Sequence, residues 1–357
     1  MFDILTHYLD SFLEMGVPGF DCIVFQHGKQ IYRHFNGYAD VLTHKKINGK
    51  ELYNLYSCSK IATCVAALQL WEKGAFQLED ELGKYMKEFE NMSVSTPDGI
   101  VPAKKKITIR NLFTMTAGFS YDLHSPGLER CRKKTAGRCP TRETIRYLAQ
   151  DPLHFEPGDA FVYSLCHDVL AALVETVSGM EFNEYCTKNI FKKLGMDQTT
   201  FLFPPDRIFE ITPQFRNENG KVVEISNHNA GYRMGSEYAS GGAGVISTAE
   251  DYIKLADALS RPDVILKQDT VRMMTTPQLT PRQHSDYGGR GYYYGLGVRC
   301  PGPGSPYTDF GWGGAAGAYF AAETKKEIAV FYVQHVLNTP NVRQRQFIIE
   351  FVKNACR

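Results

Sequence analysis

The first fourteen residues carry apolar side chains on one face of a predicted helix. The apolar positions recur three or four residues apart, as one face of an α-helix requires: Phe2, Leu5, Leu9 and Phe12. Asp3, Asp10 and Glu14 interrupt the segment, so it lacks the continuous apolar run of a signal peptide. The pattern therefore predicts an amphipathic helix.

Two β-prone runs come next, and a helical pattern follows them. Residues 22–26 and 30–37 are joined by His27-Gly28-Lys29, a short connection of the kind that closes hairpins. From Ser57 the apolar residues follow a 3.6-residue period: Ile61, Val65, Leu68 and Trp71. The sequence thus predicts a hairpin and then a helix from Ser57 to about Gly74, where glycine is a common stop signal.

The middle of the chain is mainly helical in pattern, and strand patterns return near the end. Helical spacing covers five segments: 109–115, 141–149, 167–177, 182–192 and 249–259. Strand-like runs cover three: 292–299, 316–321 and 328–334. A closing helix is predicted from about 342 to 353. Strands at both ends with helices between them predict an α/β (α+β) fold, in which one antiparallel sheet is built from both chain ends and flanked by helices.

We interpret residues 1–357 as a single domain with two lobes. The sheet lobe comprises about 1–56 and 243–357, and an inserted, mainly helical lobe comprises about 57–242. A cleft is expected between the lobes. The basic stretch 130–138 is interpreted as a solvated loop.

Composition and charge exclude several classes of partner. The chain has 357 residues, of which 43% are hydrophobic and 22% charged, as in ordinary globular proteins. Forty Lys and Arg residues oppose 39 Asp and Glu residues, and a net charge of +1 provides no field to attract nucleic acid or an anionic membrane. No apolar run reaches the roughly 18 residues of a membrane span. We therefore expect a cytoplasmic protein with neither nucleic-acid nor membrane partners; the oligomeric state stays open.

Nine cysteines are scattered along the chain, with no C-x-x-C pair and no Cys/His cluster at zinc spacing. This arrangement favours a reduced compartment and indicates no metal site. Cys64, Cys166 and Cys186 fall in apolar helical segments, which favours core packing over redox chemistry.

Ser57 and Lys60 are the strongest candidates for chemistry. In a helical turn, side chains three residues apart lie on one face, so the Ser57 hydroxyl and the Lys60 amine can meet. Serine becomes a nucleophile when a neighbour takes its proton, and lysine accepts a proton only when burial or nearby cations favour its neutral form. The apolar stripe after Lys60 predicts such burial. Taken alone, S-x-x-K is a weak signal, because a serine N-cap beside an exposed lysine has the same spacing.

Further motifs follow in a fixed order along the chain. The five segments are Ser57 to Lys60, Leu112 to Gly118, Phe155 to Gly158 leading to Tyr163-Ser164, Ser240 to Gly244 with Ser247 to Asp251, and Phe310 to Gly317. In this order they resemble the class C β-lactamase-like serine hydrolases, over roughly residues 15–335. The resemblance implies a β-lactamase-like fold and a mechanism through an acyl-enzyme.

The resemblance also implies a role for each matched residue. Ser57 attacks a carbonyl, Lys60 keeps the proton path poised, and Tyr163 acts as general base and acid. A phenol and an amine both titrate near about 10 in water, so the tyrosine needs a cationic or hydrogen-bonding neighbour to act near neutral pH. Lys60 is that neighbour. The backbone amides of Ser57 and Ala315 are implied as the two donors of the oxyanion hole.

Two positions depart from the β-lactamase pattern. Where those enzymes have Tyr-x-Asn, this chain has Leu165, and where their late motif begins with lysine, it has Trp312. An amide donor and a cation are replaced by apolar side chains, which favours uncharged, apolar acyl compounds. Trp312-Gly313-Gly314 resembles the motif of the family VIII carboxylesterases and related acyltransferases. Leu165, Trp312, Gly313 and Gly314 are therefore predicted to contact the substrate.

These residues predict a serine carboxylesterase for small or medium apolar acyl esters, with weak β-lactam hydrolysis through the same machinery. A small-molecule acyl compound is the expected partner, and no cofactor is predicted. The alternatives are a β-lactamase, a DD-peptidase or a D-amino-acid amidase, and beyond those an acyltransferase or a non-catalytic penicillin-binding-like protein. Loops 119–140 and 280–292 are expected to shape the pocket. For His167 a helix-start role satisfied by the backbone is favoured, and Tyr292 to Tyr294 stay open between cleft and core.

Overall fold

The computed structural model describes residues 2–226 and 232–356. The helices are α1 (Asp3–Glu14), α2 (Ser59–Glu72), α3 (Ile109–Phe113), α4 (Pro126–Lys134), α5 (Thr141–Leu148), α6 (Cys166–Ser178), α7 (Phe182–Cys186), α8 (Ala249–Ser260), α9 (Gln268–Met274), α10 (Pro281–Tyr287) and α11 (Ile348–Ala355). The strands are β1 (Gly19–Gln26), β2 (Lys29–Asp40), β3 (Lys45–Lys46), β4 (Tyr53–Asn54), β5 (Ser93–Thr96), β6 (Gly99–Pro102), β7 (Gln214–Glu218), β8 (Lys221–Ile225), β9 (Ile246–Ser247), β10 (Tyr293–Tyr294), β11 (Arg299–Cys300), β12 (Phe310–Gly313), β13 (Tyr319–Glu323), β14 (Ile328–Val333) and β15 (Val336–Leu337).

The main sheet has eight strands, and it joins the two ends of the chain. Its order is β10-β11-β12-β13-β14-β1-β2-β3, and every neighbouring pair is antiparallel. The N-terminal hairpin meets the C-terminal strands where Ile23 pairs with Phe331. The predicted antiparallel sheet from both chain ends is confirmed. Its division into two lobes stays a prediction.

Each face of this sheet packs against its own helices, because alternate residues of a strand point to opposite faces. On β1, Cys22 and Val24 join a buried cluster with α1 and α11, to which the predicted stripe of α1 contributes Leu5 and Leu9. Ile23 points the other way, into the larger cluster built by α2, α6 and α8. That second cluster supports the helix on which the S-x-x-K motif lies.

Several predicted bounds differ from the structure. The basic stretch 130–138 is not a loop throughout, because α4 begins at Pro126, a favoured first-turn residue, and runs to Lys134. The predicted strand 292–299 is two short strands, β10 and β11, and the strand predicted at 316–321 begins at Tyr319. The closing helix α11 begins only at Ile348, after 3₁₀ turns.

All nine cysteines are buried, and each is a free thiol. Cys64, Cys166 and Cys186 lie in the large core cluster, as the apolar helical pattern predicted. Within the described residues, no helix combines the length and apolar character needed to cross a bilayer.

Candidate active site

Ser57 lies in a tight turn that precedes α2. The turn is a 3₁₀ segment over Tyr56–Cys58, and Tyr56 has a φ of 48°, in the left-handed region. This conformation costs a non-glycine residue roughly 1–2 kcal/mol. The Tyr56 side chain is fixed by a 2.8 Å hydrogen bond to Gln214 and an edge-on contact with the Tyr232 ring. The fold thus holds a strained turn that presents Ser57 at the start of the helix.

Lys60 meets Ser57 as the three-residue spacing predicted. Its side chain is 0% exposed, and its Nζ atom lies 3.4 Å from Ser57 Oγ. The same ammonium donates to the carbonyl oxygen of Gly242 at 2.7 Å and to the hydroxyl of Tyr121 at 3.4 Å. The apolar stripe of α2 therefore provides the burial that the sequence indicated.

The electrostatic effect of this environment differs from the expectation that burial makes Lys60 neutral. Burial by itself acts to lower the pKa of Lys60, but interactions with Tyr163, Tyr121 and Asp168 outweigh it and raise the pKa above its ordinary value. Lys60 is therefore an ammonium ion at neutral pH. It can stabilise negative charge and donate hydrogen bonds, but as a cation it has no free electron pair with which to act as the base.

Tyr163 lies over the ammonium of Lys60 and beside Trp312. The Lys60 Nζ atom is 4.5 Å from the centroid of the Tyr163 ring. The Tyr163 hydroxyl accepts a hydrogen bond from the indole Nε1 of Trp312 at 3.3 Å, and the two rings stack with centroids 5.8 Å apart. Two residues that are 149 positions apart in sequence thus form one wall above Ser57.

Tyr121 was missed by the sequence analysis. Its ring stacks on Tyr163 with centroids 5.6 Å apart, and its hydroxyl is a hydrogen-bond partner of Lys60. Burial raises the pKa of Tyr121 to about 12, although Lys60 acts in the opposite direction. Its hydroxyl therefore stays protonated at neutral pH. Its only signal in the sequence was its place three residues after the Leu112 to Gly118 motif.

The turn that carries Gly314 and Ala315, the predicted oxyanion donor, packs directly against the turn that carries Ser57. A side-chain carbon added at Gly314 would lie 2.3 Å from the carbonyl oxygen of Leu55, so only glycine permits this close approach. The turn is closed by a hydrogen bond from Gly314 N–H to Ala318 O at 2.8 Å. Ala315 N–H has no backbone acceptor among the described residues, and Ala315 is exposed. This amide is available to an oxygen bound beside Ser57.

A cleft of about 570 Å³ opens above these groups. The predicted contact residues Trp312, Gly313 and Gly314 line it, as do Ser57 and Ala315. The predicted loop 280–292 supplies another wall through Tyr287 and the residues after it, and the ring of Tyr287 stacks on Trp312 with centroids 6.5 Å apart. Loop 280–292 thus does shape the pocket.

Leu165 does not line the cleft, which corrects its assignment as a substrate contact. It is 2% exposed, and its N–H donates to the carbonyl oxygen of Ser120 at the start of α6. Its apolar side chain packs into the large core cluster, where it is removed from water. The position that carries the amide donor in the β-lactamases is thus a core position in this chain.

The residues left open by the sequence have distinct environments. His167 is fully buried beside the carbonyl oxygen of Phe113 at 3.4 Å, and burial, then Lys60, lowers the pKa of its imidazole to about 3. Tyr292 lines the cleft and donates to Asp309, whereas Tyr294 is buried edge-on against Trp312. Tyr293 bonds outward to the carbonyl oxygen of Pro303.

Arg345 brings a cation to the cleft that the sequence motifs did not reveal. It lines the cleft, is 6% exposed, and donates to Ala318 O at 3.4 Å. No carboxylate forms an ion pair with it among the described residues, whereas nearby Arg299 pairs with Asp309 at 2.8 Å. Burial lowers the pKa of Arg345, yet arginine remains charged at neutral pH. Arg345 therefore places a cation in the cleft, although Trp312 occupies the position of the β-lactamase lysine.

No group of three or more His, Cys, Asp or Glu side chains within residues 2–226 and 232–356 could hold a metal ion. Ser57, Tyr163 and the glycine turn line the cleft, and the buried Lys60 lies directly behind Ser57. Such a constellation on this sheet is typical of serine hydrolases with a β-lactamase-like fold.

The chain belongs to the β-lactamase family. Its sequence matches the family described as Beta-lactamase over residues 5–352. The resemblance inferred from the ordered motifs is thus confirmed, as is the β-lactamase-like fold. The family includes serine hydrolases and acyltransferases.

Similar proteins include an esterase and an acyltransferase. Esterase EstB of Burkholderia gladioli is 29% identical over 69% of this chain and 66% of its own length. Acyltransferase calJ of Penicillium decumbens is 30% identical over 71% of this chain and 63% of its own length.

One solved structure has the same fold across nearly the whole chain. EstCE1, described as a hydrolase with promiscuous acyltransferase activity, superposes with a TM-score of 0.79 at 22% identity and covers 98% of this chain and 100% of its own.

Proposed function

We propose that this protein is a serine carboxylesterase that forms an acyl-enzyme on Ser57 and acts on small or medium apolar acyl esters. The observation that carries the proposal is the 3.4 Å contact between Ser57 Oγ and the buried Lys60 ammonium, at the base of a cleft with an aromatic wall. A nucleophile beside a fixed cation supports acyl transfer to serine. Trp312 and the tyrosines stacked around it support an apolar acyl group.

In this mechanism Tyr163 begins as a tyrosinate, and it takes the proton of Ser57 as Ser57 Oγ attacks the ester carbonyl carbon. Lys60 remains an ammonium ion, which stabilises the tyrosinate before the proton transfer and the serine oxygen as charge develops on it. The carbonyl oxygen becomes an oxyanion and receives hydrogen bonds from the N–H groups of Ser57 and Ala315. Collapse of the tetrahedral intermediate expels the alcohol, which takes the proton from Tyr163. Water then repeats the sequence on the acyl-enzyme and releases the acid.

The first test is a rate assay on wild type and Ser57→Ala. The substrates are p-nitrophenyl acetate and butyrate, a chromogenic cephalosporin and a D-alanyl p-nitroanilide. We expect turnover of the esters, its loss in Ser57→Ala, and a fall of roughly 10²–10⁴ in Tyr163→Phe, as for a lost general base. Near-wild-type rates in either variant contradict the mechanism. Dominant cephalosporin or D-alanyl hydrolysis contradicts the ester preference.

Because Arg345 lines the cleft, the assay also includes a substrate with a negative charge. A p-nitrophenyl ester whose acyl chain ends in a carboxylate measures whether the cleft cation binds substrate. Faster turnover of this ester than of the butyrate would shift the acyl class from apolar groups to acids.

Acyl transfer is a second candidate function. The sequence likeness to the acyltransferase calJ supports it, because an acyl-enzyme on Ser57 can be resolved by an alcohol as well as by water. Adding a small alcohol to the butyrate assay separates the two functions. An ester product formed faster than butyric acid would favour the transferase.

A further inference from the structure

Asp168 is a fully buried carboxylate in the first turn of α6, and no step of the proposed chemistry uses it. Its side chain is 0% exposed. One oxygen, Oδ1, accepts hydrogen bonds from the hydroxyls of Tyr238 at 2.8 Å and Ser240 at 2.7 Å. The other oxygen, Oδ2, is buried and has no hydrogen-bond partner among the described residues. Burial of such an oxygen is costly unless an opposite charge lies nearby.

The unpartnered oxygen faces the point at which the Lys60 ammonium is bound. A side-chain carbon added at Gly242 would lie 2.5 Å from Asp168 Oδ2 and 3.3 Å from both Lys60 Nζ and the Tyr121 hydroxyl. The carbonyl of the same glycine accepts the hydrogen bond from Lys60 at 2.7 Å. The Asp168 carboxylate and the Lys60 ammonium therefore lie on either side of Gly242, with no side chain between them. Any larger residue at this position would push the two apart.

We propose that Asp168 is a positioning residue for the reaction at Ser57, whose negative charge acts across Gly242 to hold Lys60 as an ammonium ion beside the nucleophile. The inference rests on the proposed function and deepens it by naming the counter-charge. Opposite charges separated by one residue interact more strongly in a protein interior than at its surface, because the local dielectric is low. Without this carboxylate, burial, which favours the neutral amine, would be opposed by Tyr163 and Tyr121 alone among these groups.

Asp168 is the one carboxylate among the groups that act most strongly on the pKa of Lys60. The hydroxyls that face Lys60 belong to Ser57, Tyr121 and Tyr163, and Asp168 also acts to raise the pKa of Tyr121.

The remaining ionisable neighbours keep one charge state across the working pH range. Burial lowers the pKa of His167 to about 3, so this imidazole is neutral. Burial raises the pKa of Cys58 to about 12 and of Cys166 to about 11, and it also raises the pKa values of Cys64 and Tyr238. A change in pH profile after loss of Asp168 therefore reports on Lys60 and the tyrosines.

The first experiment measures how pH affects Ser57 modification by an uncharged fluorophosphonate and p-nitrophenyl butyrate hydrolysis. It compares wild type, Asp168→Asn and Tyr238→Phe. Asparagine keeps the shape of the acid and an acceptor for Tyr238 and Ser240, but removes the charge. We expect the alkaline loss of rate to begin on the order of one pH unit lower in Asp168→Asn, because Lys60 gives up its proton more readily. We also expect kcat to fall while KM changes little.

Tyr238→Phe is the matched control. It removes a hydrogen bond to Asp168 but leaves the charge, so its melting temperature should fall and its pH profile should stay that of wild type. A folded Asp168→Asn protein with the wild-type pH profile overturns the proposal, whatever its rate. Equal shifts in both variants also overturn it, since they would show a merely structural role.

A second experiment tests the proposal even if Asp168→Asn is poorly stable. Urea unfolding of Lys60→Met, Asp168→Asn and the double variant gives the coupling between the two charges without any activity. We expect the double variant to be more stable than Asp168→Asn alone, because no unpaired buried charge remains. Additive losses overturn the proposal. Failure of the fluorophosphonate to label wild-type Ser57, with coupling still present, would overturn the proposed function instead.

Discussion

The indole N–H of Trp312 donates a hydrogen bond to the hydroxyl of Tyr163 at 3.3 Å, while the two rings stack nearly parallel. The tryptophan that replaces the lysine of the β-lactamase motif therefore contacts the proposed general base as well as lining the cleft. A hydrogen bond donated to the phenol oxygen stabilises the phenolate more than the phenol. Trp312 thus links substrate choice to proton transfer.

Trp312→Phe separates these two roles, because it keeps a stacking ring and removes the N–H donor. We expect kcat for p-nitrophenyl butyrate to fall about tenfold with little change in KM, as for one lost hydrogen bond. Trp71→Phe is the control, since Trp71 is the other of the two tryptophans and lies near the end of α2. A raised KM with kcat unchanged would mean that the indole contacts substrate and leaves Tyr163 unaffected.

Tyr121→Phe should lower kcat less than Tyr163→Phe does. It removes one of three hydrogen-bond partners of Lys60 but keeps the stacked ring, so we expect a loss of about tenfold. Tyr185→Phe is a matched control, because the buried Tyr185 hydroxyl has no hydrogen-bond partner among the described residues. Steady-state kinetics of the three phenylalanine variants would test this order. A loss in Tyr121→Phe as large as that in Tyr163→Phe would make Tyr121 the better candidate for the base.

Gly314→Ala should distort the oxyanion turn. The added carbon would clash with Leu55 O at 2.3 Å, and the turn carrying Ala315 would have to move away from Ser57. We expect a lower melting temperature and fluorophosphonate labelling of Ser57 slowed about 10²-fold, as for a lost oxyanion donor. At Gly313 the nearest atom to an added carbon is Ala318 O at 3.5 Å, so Gly313→Ala should keep the wild-type melting temperature. Equal melting temperatures for both variants would contradict the close packing at Gly314.

The stability of the fold should decrease as the pH falls below the ordinary pKa of a histidine side chain. Burial lowers the pKa of His335 to about 4, whereas histidine in an unfolded chain titrates at about 6.5. Between these two pH values the unfolded state binds more protons than the folded state. The free energy of unfolding therefore decreases as the pH is lowered. Urea unfolding at pH 7, 6 and 5 gives the slope of the unfolding free energy against pH, which reports the number of protons taken up on unfolding. In His335→Asn this number should be smaller by about one. His44→Asn, which removes an exposed histidine, should keep the wild-type slope, and an unchanged slope in His335→Asn would contradict the prediction.

Patterns that depend on local spacing were predictable from the sequence. The 3.6-residue stripe of α2 and the three-residue separation of Ser57 and Lys60 both follow from helix geometry, and the structure brings the two side chains together. The hairpin of β1 and β2 was equally clear from its short connection. Each of these features involves residues that are close in the chain.

Several features that depend on distant parts of the chain were not predicted. Arg345 reaches the cleft from a 3₁₀ turn before α11, and Tyr121 reaches Lys60 across 61 positions. Leu165 occupies a motif position, but its direction is set by the packing of α6 into the core. The pKa of Lys60 also required the structure, because burial and its charged neighbours act in opposite directions.

The nine buried cysteines described above equip the protein with a built-in reporter of unfolding. Burial raises the pKa of thiols such as those of Cys22 and Cys186, so a maleimide finds little reactive thiolate while the chain is folded. Thiol modification, followed by mass spectrometry, therefore measures the fraction of unfolded molecules without an engineered labelling site. Because Ser57 is blocked by a different class of reagent, conformational opening and active-site integrity can be read from the same sample.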